Sequence, residues 1–355
     1  MDSKRTGPDE SVTKRTGPDG SRQEIKKVIK YTHNLKRRRS YKMVEDNQIK
    51  AQVSPFAIRK GEIKTFDGQD GYVSMNQVVH KINIGHITDI HFAILYLVNE
   101  FEFITSRQLM QMLQIKGYEV KSQDKLNNKL EGLVKSKILT RYYFTSDEGK
   151  GIYRIYCLEK MGKYLLDTRD DVECKWQPSD NTKPVAMIKK RLAGNQVLIA
   201  YLKKVKVFDS YTVKPALTAK TMGKVFKPSG GQVTLTKSGK SIQFLFEVVR
   251  REIDWQKKVV DKMKFYQDFY DNFVPLDSGF KSLPQLIIVC EDDRHMAEVF
   301  RELVTHNVEF NKINLYYTTD LKQNSESLES TLTEFKLDPE TNKYKAQNVE
   351  LKLLN

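Results

Sequence analysis

Apolar and polar positions along this chain change period several times, and each change marks an element. Between Ile84 and Asn99, Ile90, Ile94, Leu95 and Val98 recur at helical spacing behind Thr88, a fitting N-cap, so a first amphipathic helix is predicted. Thr105 caps a second, short helix, SRQLMQML, and Ile115 to Val120 with Gly117 form the turn before a third, from Ser122 to Lys135. Leu126, Leu130, Leu133 and Val134 give that third helix one apolar stripe. Two strand-like runs follow, Ile138 to Phe144 and Ile152 to Leu158, joined by the turn-forming loop TSDEGKG; a helix from near Glu159 closes the unit.

Beyond Pro184 the pattern alternates. Met187 to Lys204 reads as a helix, Val205 to Val213 as a strand, and Ile242 to Val249 (IQFLFEVV) as a buried strand. Trp255 to Phe273 reads as a long helix, Leu286 to Cys290 as a strand and Asp293 to Val304 as a helix. Such alternation predicts an α/β sheet. The expected layout is an arm over 1–50, an extended connector over 51–83 and a winged helix-turn-helix over 84–166. A linker over 167–184, an α/β domain over 185–320 and a tail over 321–355 complete it. The fold class is therefore mixed α/β, a winged helix followed by a domain resembling a degenerate restriction endonuclease.

Charge narrows the partner. Across 355 residues, 60 Lys and Arg against 45 Asp and Glu leave +15, an excess that favours a polyanion through long-range attraction and counterion release. The first fifty residues supply 14 of those cations with 7 acids and few large apolar side chains, too little to bury, so a disordered basic arm is expected. It carries a ten-residue repeat, SKRTGPDESV then TKRTGPDGSR, and the run Lys36, Arg37, Arg38, Arg39, suited to phosphates. No stretch has the apolar length of a membrane span or signal peptide, which points to a cytoplasmic protein. Cys157, Cys174 and Cys290 are too scattered for a disulfide framework or a zinc knuckle.

The order helix, helix, turn, helix, hairpin is that of a winged helix whose third helix enters the major groove. Away from its leucine stripe lie Ser122, Gln123, Lys125, Asn127, Asn128 and Lys129, a face read as free of acids. Amides suit adenine edges, and lysines suit guanine or phosphate. Lys150 in the wing loop and Arg141 and Arg154 on its strands are expected phosphate contacts. Double-stranded DNA bound by a homodimer on paired half-sites is the expected partner; a protein-binding module with a solvated basic face is the competing reading.

In the second half, Asp209 and Glu247 occupy a strand, loop, strand arrangement like that of Mg²⁺-dependent nucleases. That chemistry wants Glu, any residue, Lys on one strand, and here the third position is Val249, so Lys262 or Lys264 would have to substitute. No cofactor is expected, Mg²⁺ belonging only to the nuclease alternative, and no catalytic residue is assigned beyond the candidates Asp209, Glu247 and Lys262. An ion pair of Glu247 with a nearby arginine is the simpler expectation. Gly230-Gly231 and Gly239-Lys240-Ser241 read as hairpin turns, and Glu291 to His295 as a strand-to-helix junction with Asp293 as N-cap and His295 at the surface.

RLAGNQVLIAYLKK, FEVVRREIDWQKKVVDKMKFYQDF and LPQLIIVCEDDRHMAEVFREL, in this order after the winged-helix pattern, resemble the replication-relaxation family of plasmids and mobile elements over Thr88 to Asp320. That family carries Glu-Val-Asp-Arg on a strand, then a helix with a lysine and a tyrosine. Glu247, Val248 and Arg250 match, Val249 departs, and Lys262 and Tyr266 correspond to the helix pair. The resemblance implies a role in plasmid replication, DNA relaxation or conjugative transfer. The expected task is to mark an origin of replication or transfer, alongside relaxase or replication proteins, without catalysis. Regulation of transfer genes by the same DNA grip is a further alternative.

Overall fold

Hydroxyl side chains begin the first helices, where the sequence breaks from extended to helical backbone. In the computed structural model, residues 53–147, 149–275, 280, 282–324, 327–328 and 330–350 are described. The expected arm, with its repeat and Arg37, Arg38 and Arg39, lies outside them. Ser74 caps α1 (Met75–Asn83) in a reciprocal pair with Gln77, and Thr105 caps α3 (Ser106–Ile115) with Gln108 in the same way. Ser122 Oγ accepts from Lys125 N at 3.2 Å to start α4 (Gln123–Lys135). Helix α2 (Asp89–Phe101) buries Ile94, Leu95 and Val98 as its period requires.

The first lobe adds β1 (Ile63–Phe66), β2 (Ile104–Thr105), β3 (Leu139–Ser146), β4 (Gly149–Leu158) and α5 (Lys160–Asp167). Its antiparallel sheet runs β1-β3-β4-β2. Leu126, Leu130, Leu133 and Val134 of α4 are buried in one core with Leu109, Met112 and Leu113 of α3, as the leucine stripe predicts. The expected extended connector over 51–83 is corrected: it holds β1 and α1. The signal was weak because Ile63 and Phe66 face solvent on an edge strand and Val78 is the one buried residue of α1. The 167–184 segment includes a 3₁₀ turn, Pro178–Thr182, fixed by Asn181, which accepts from Trp176 Nε1 at 3.2 Å and donates to Leu158 O at 2.8 Å.

The second lobe opens with α6 (Val185–Lys204) and β5 (Phe208–Thr212), followed by the small hairpin β6 (Leu217–Ala219) and β7 (Lys224–Phe226). Next come β8 (Gly231–Lys237), β9 (Lys240–Val248), α7 (Trp255–Asp271), β10 (Gln285–Cys290) and α8 (Asp293–Thr305). Then follow β11 (Leu315–Thr319), α9 (Asp320–Gln323), β12 (Leu332–Asp338) and β13 (Lys343–Val349). The seven-stranded sheet runs β13-β12-β11-β10-β9-β8-β5; β9, β10 and β11 are parallel to one another and the other pairings antiparallel. β10 is apolar and buried beyond Gln285, and β9 is buried from Phe244 to Val248, as strands covered on both faces must be. The chain is thus mixed α/β with several sheets. The expected tail over 321–355 is corrected, because β12 and β13 extend the main sheet and Phe335 stacks on Phe300 of α8 with centroids 4.1 Å apart.

Ser238 and Gly239, at φ 50° and 78°, make the two-residue turn between β8 and β9 that the sequence predicts there. Gly230-Gly231 is instead a close packing point. A Cβ on Gly194 of α6 would lie 2.7 Å from Gly230 Cα, so the two glycines let the helix rest on the strand entry. The described residues form one compact unit. Gln108 of α3 donates to Leu192 O of α6 at 2.7 Å, Lys189 pairs with Glu62 at 2.6 Å with both side chains buried, and Ser54 donates to Asp320. Among the described residues no helix is long and apolar enough to cross a membrane. Cys157 and Cys290 are free and buried, which pushes both thiols up.

Candidate nucleic-acid interface and the Glu247 cluster

Packing α4 through its leucines leaves its other side toward solvent. Lys125 and Asn128 are exposed, while Gln123, Asn127 and Lys129 are partly covered. Gln123 Nε2 donates to Asn127 Oδ1 at 3.2 Å, one turn apart, which orders the two amides along the face. Ser122 is spent on the N-cap. The reading of this face as free of acids is corrected: Asp124 is exposed in the first turn, where it complements the helix dipole but repels phosphate.

The arginines are less available than their spacing suggests. Arg141 has a side chain only 12% exposed; its Nε lies 2.6 Å from Asp67 O and 3.0 Å from Asp67 Oδ2, and its Nη1 binds Glu131 of α4. It is a strut between β3, α4 and residue 67, not a free phosphate contact. Arg154 shares Asp67 at 2.8 Å yet is about half exposed. Lys150 lies in β4 opposite Thr145 near the hairpin tip. Asp67 carried no signal in the sequence, since its partners are set by the pairing of β1 with β3.

The structure separates the two carboxylates of the nuclease reading. Asp209 is exposed at the irregularity of edge strand β5, where Phe208 pairs with Leu235, itself opposite Ile242 of β9. Glu247 is five residues further along β9, about 16 Å at the usual rise of roughly 3.3 Å per residue. Glu247 is buried and held by neutral donors: Ser229 Oγ at 2.7 Å, Ser229 N at 3.2 Å and Tyr266 Oη at 2.8 Å. Of the expected arginine partnership, Arg191 of α6 attracts Glu247 electrostatically, while the direct hydrogen bonds come from these neutral donors. Lys262, one turn before Tyr266 on α7, instead donates to Lys227 O at 2.8 Å over the Phe226 ring. Burial and the adjacent Glu247 keep the Tyr266 phenol well above its ordinary pKa, so it stays a donor.

A Mg²⁺ site needs several converging oxygen ligands, among them one or two carboxylates with oxygens free to face the ion. Glu247 brings one, already saturated by a serine and a tyrosine, with Val249 two positions on. No group of three or more His, Cys, Asp or Glu among the described residues is placed to hold a metal. These residues do not fit Mg²⁺.

At the carboxyl end of β10 the cap is Asp292, one residue before the expected Asp293; its Oδ1 accepts from His295 N at 2.7 Å. His295 is fully buried, not at the surface, with Nδ1 accepting from Glu291 N at 3.2 Å and Trp255 edge-on. Burial first, then Arg251 and Arg250, lower its pKa to about 3, so it is neutral at pH 7.

Comparison with known proteins bears on this arrangement. Residues 95–278, more than half of the chain, match the replication-relaxation family. The chain belongs to that family, and membership carries a replication-related role. No curated protein matches the sequence. Two structures of the restriction endonuclease FokI, free and bound to DNA, align over 65% of this chain at 12% identity with a TM-score of 0.24. The aligned region spans 41% and 42% of those chains, and a likeness so low fixes neither topology nor chemistry.

Proposed function

We propose that α2, α3, α4 and the β3-β4 hairpin constitute a winged helix-turn-helix gripping duplex DNA, with α4 in the major groove. The observation carrying this reading is the outward face of α4. Its solvent side presents Lys125, Asn128, the paired amides Gln123 and Asn127, and Lys129. The short β2 paired to β4 between the first two helices supports the same topology. Arg154 and the hairpin tip with Lys150 flank the groove as backbone contacts, and the basic arm with Arg37, Arg38 and Arg39 adds sequence-independent attraction.

The chain then acts at an origin of replication or transfer of a plasmid or mobile element. Two copies occupy paired half-sites and present the origin to relaxase or replication proteins. The lobe from Val185 onward serves as a scaffold of nuclease-like build that does not cleave. The test is a mobility shift on origin DNA: Lys125→Glu with Lys129→Glu abolishes the shift, and undiminished binding removes α4 from the interface.

A further inference from the structure

A second polar site lies between the lobes. A cleft of about 680 Å³ opens between the end of α2, residues 173–183, α6 and the loop before β8. Six cations line it, Lys175, Lys183, Lys190, Arg191, Lys214 and Lys227, together with the acids Glu100, Glu102, Glu173 and Asp180; Lys175 pairs with Glu173, and Lys190 with Glu252. At its wall sits Glu102, in an unusual backbone conformation.

Glu102 has φ 66° and ψ −63°, and Phe103 N donates to Phe101 O at 2.8 Å, closing a three-residue turn that is costly for any residue with a Cβ. The turn is held from outside. Asn195, fully buried on α6, donates its side-chain amide to Phe103 O at 2.7 Å and Phe101 O at 3.3 Å, the carbonyls flanking Glu102. The result is a carboxylate aimed at three cations: Lys183 Nζ at 2.5 Å, Lys214 Nζ at 3.0 Å and Arg191 Nε at 3.3 Å. Asp180 shares Lys183 at 3.0 Å, and Glu247 adds to the attraction on Arg191. Burial raises the Glu102 carboxyl, but Lys214, Lys183 and Arg191 outweigh it and bring its pKa down to about 2. Burial also lowers the pKa of Lys214 and Arg191, outweighing the attraction of Glu102 on both and of Glu247 on Arg191.

We propose that this cleft is a phosphate-binding site, with Glu102 occupying the phosphate position until the ligand displaces it. A phosphate group brings more charge and more acceptor oxygens than one carboxylate, and it matches the guanidinium fork of Arg191 with lysines on either side. The volume suits a nucleotide-sized ligand and is too small for a duplex, so the phosphate comes from a mononucleotide or from one unpaired nucleic-acid strand. This site is separate from the α4 face and stands whether or not that face binds DNA.

The test uses the full chain at constant ionic strength, titrated with inorganic phosphate, ATP and fluorescein-labelled (dT)12. Each titration is repeated in a Lys125→Glu, Lys129→Glu background to remove any contribution of α4. Lys214→Ala weakens binding about tenfold or more, and Glu102→Gln, which removes the competing charge, tightens it several-fold. Saturable ATP binding identifies a nucleotide site; binding of (dT)12 alone identifies a strand site. If Glu102 merely ties the lobes together, Glu102→Gln lowers stability and leaves affinity unchanged or weaker, which overturns the proposal. So does wild-type affinity in Lys214→Ala, a partly exposed position that decides the matter should Glu102→Gln fail to fold.

Discussion

Arg250 places Nη2 2.8 Å from Asp320 Oδ1, and neither side chain reaches solvent. Ser54 donates to the other Asp320 oxygen, so the residues around Ser54 are pinned to the carboxyl ends of β9 and β11. A buried pair is weak evidence of net stability, but breaking it strands a charge. Asp320→Ala is expected to cost about 3–5 kcal/mol in urea unfolding. Ser54→Ala, which removes one hydrogen bond to that acid, is expected to cost about 1–3 kcal/mol.

Tyr266 and Glu247 give a second check. Tyr266→Phe deletes the 2.8 Å hydrogen bond to a buried carboxylate and is expected to destabilise by about 1.5–3 kcal/mol. Supercoiled plasmid incubated with Mg²⁺ should remain intact with wild type and with Glu247→Ala alike. Wild-type cleavage that Glu247→Ala abolishes would restore the nuclease alternative.

Stability should fall on mild acidification. The folded-state pKa of His295 is about 3 and that of His91 about 4, each below the ordinary 6.5, because burial disfavours the charged ring. The unfolded chain therefore takes up protons below pH 6.5 that the folded chain refuses. Stability is greatest above 6.5 and declines toward pH 4 and 3 through these groups. His295→Asn, which keeps an acceptor for Glu291 N, should flatten the decline measured by chemical denaturation between pH 6.5 and 4; an unchanged slope would assign the effect elsewhere.

The segment 1–50 carries 14 cations and 7 acids. Its deletion should lower affinity for all DNA sequences and reduce the slope of log K against log salt, because its contacts are to phosphate. An unaltered slope in fluorescence anisotropy would mean that the arm does not touch DNA.

Much of this architecture is legible in the residues alone. Helices α2, α3, α4, α7 and α8 each bury a stripe at helical spacing, α6 is a long apolar stretch buried on most sides, and the buried ends of β9 and β10 are largely apolar, so these elements show in one dimension. Strands β1 and β13 do not: Ile63 and Phe66 point to water, and KYKAQNV is exposed along most of its length, so neither alternates. Asp209 and Glu247 look like a pair on paper because their separation depends on the register of β5 against β8. The partners that decide the role of Glu247 are a serine in a turn and a tyrosine that also reads as core. Asp67, which claims both Arg141 and Arg154, becomes visible only once β1 lies beside β3.

The face of α4 can be tested most directly by guanine N7 methylation protection on origin DNA, since N7 lies in the major groove. The account predicts protected guanines in wild type, spaced by about one helical turn for two copies. Lys125→Ala with Asn128→Ala should lose the protection while weak, sequence-independent binding persists. Tight binding with N7 fully reactive, or protection unchanged in that double variant, would contradict the assignment of α4 to the groove.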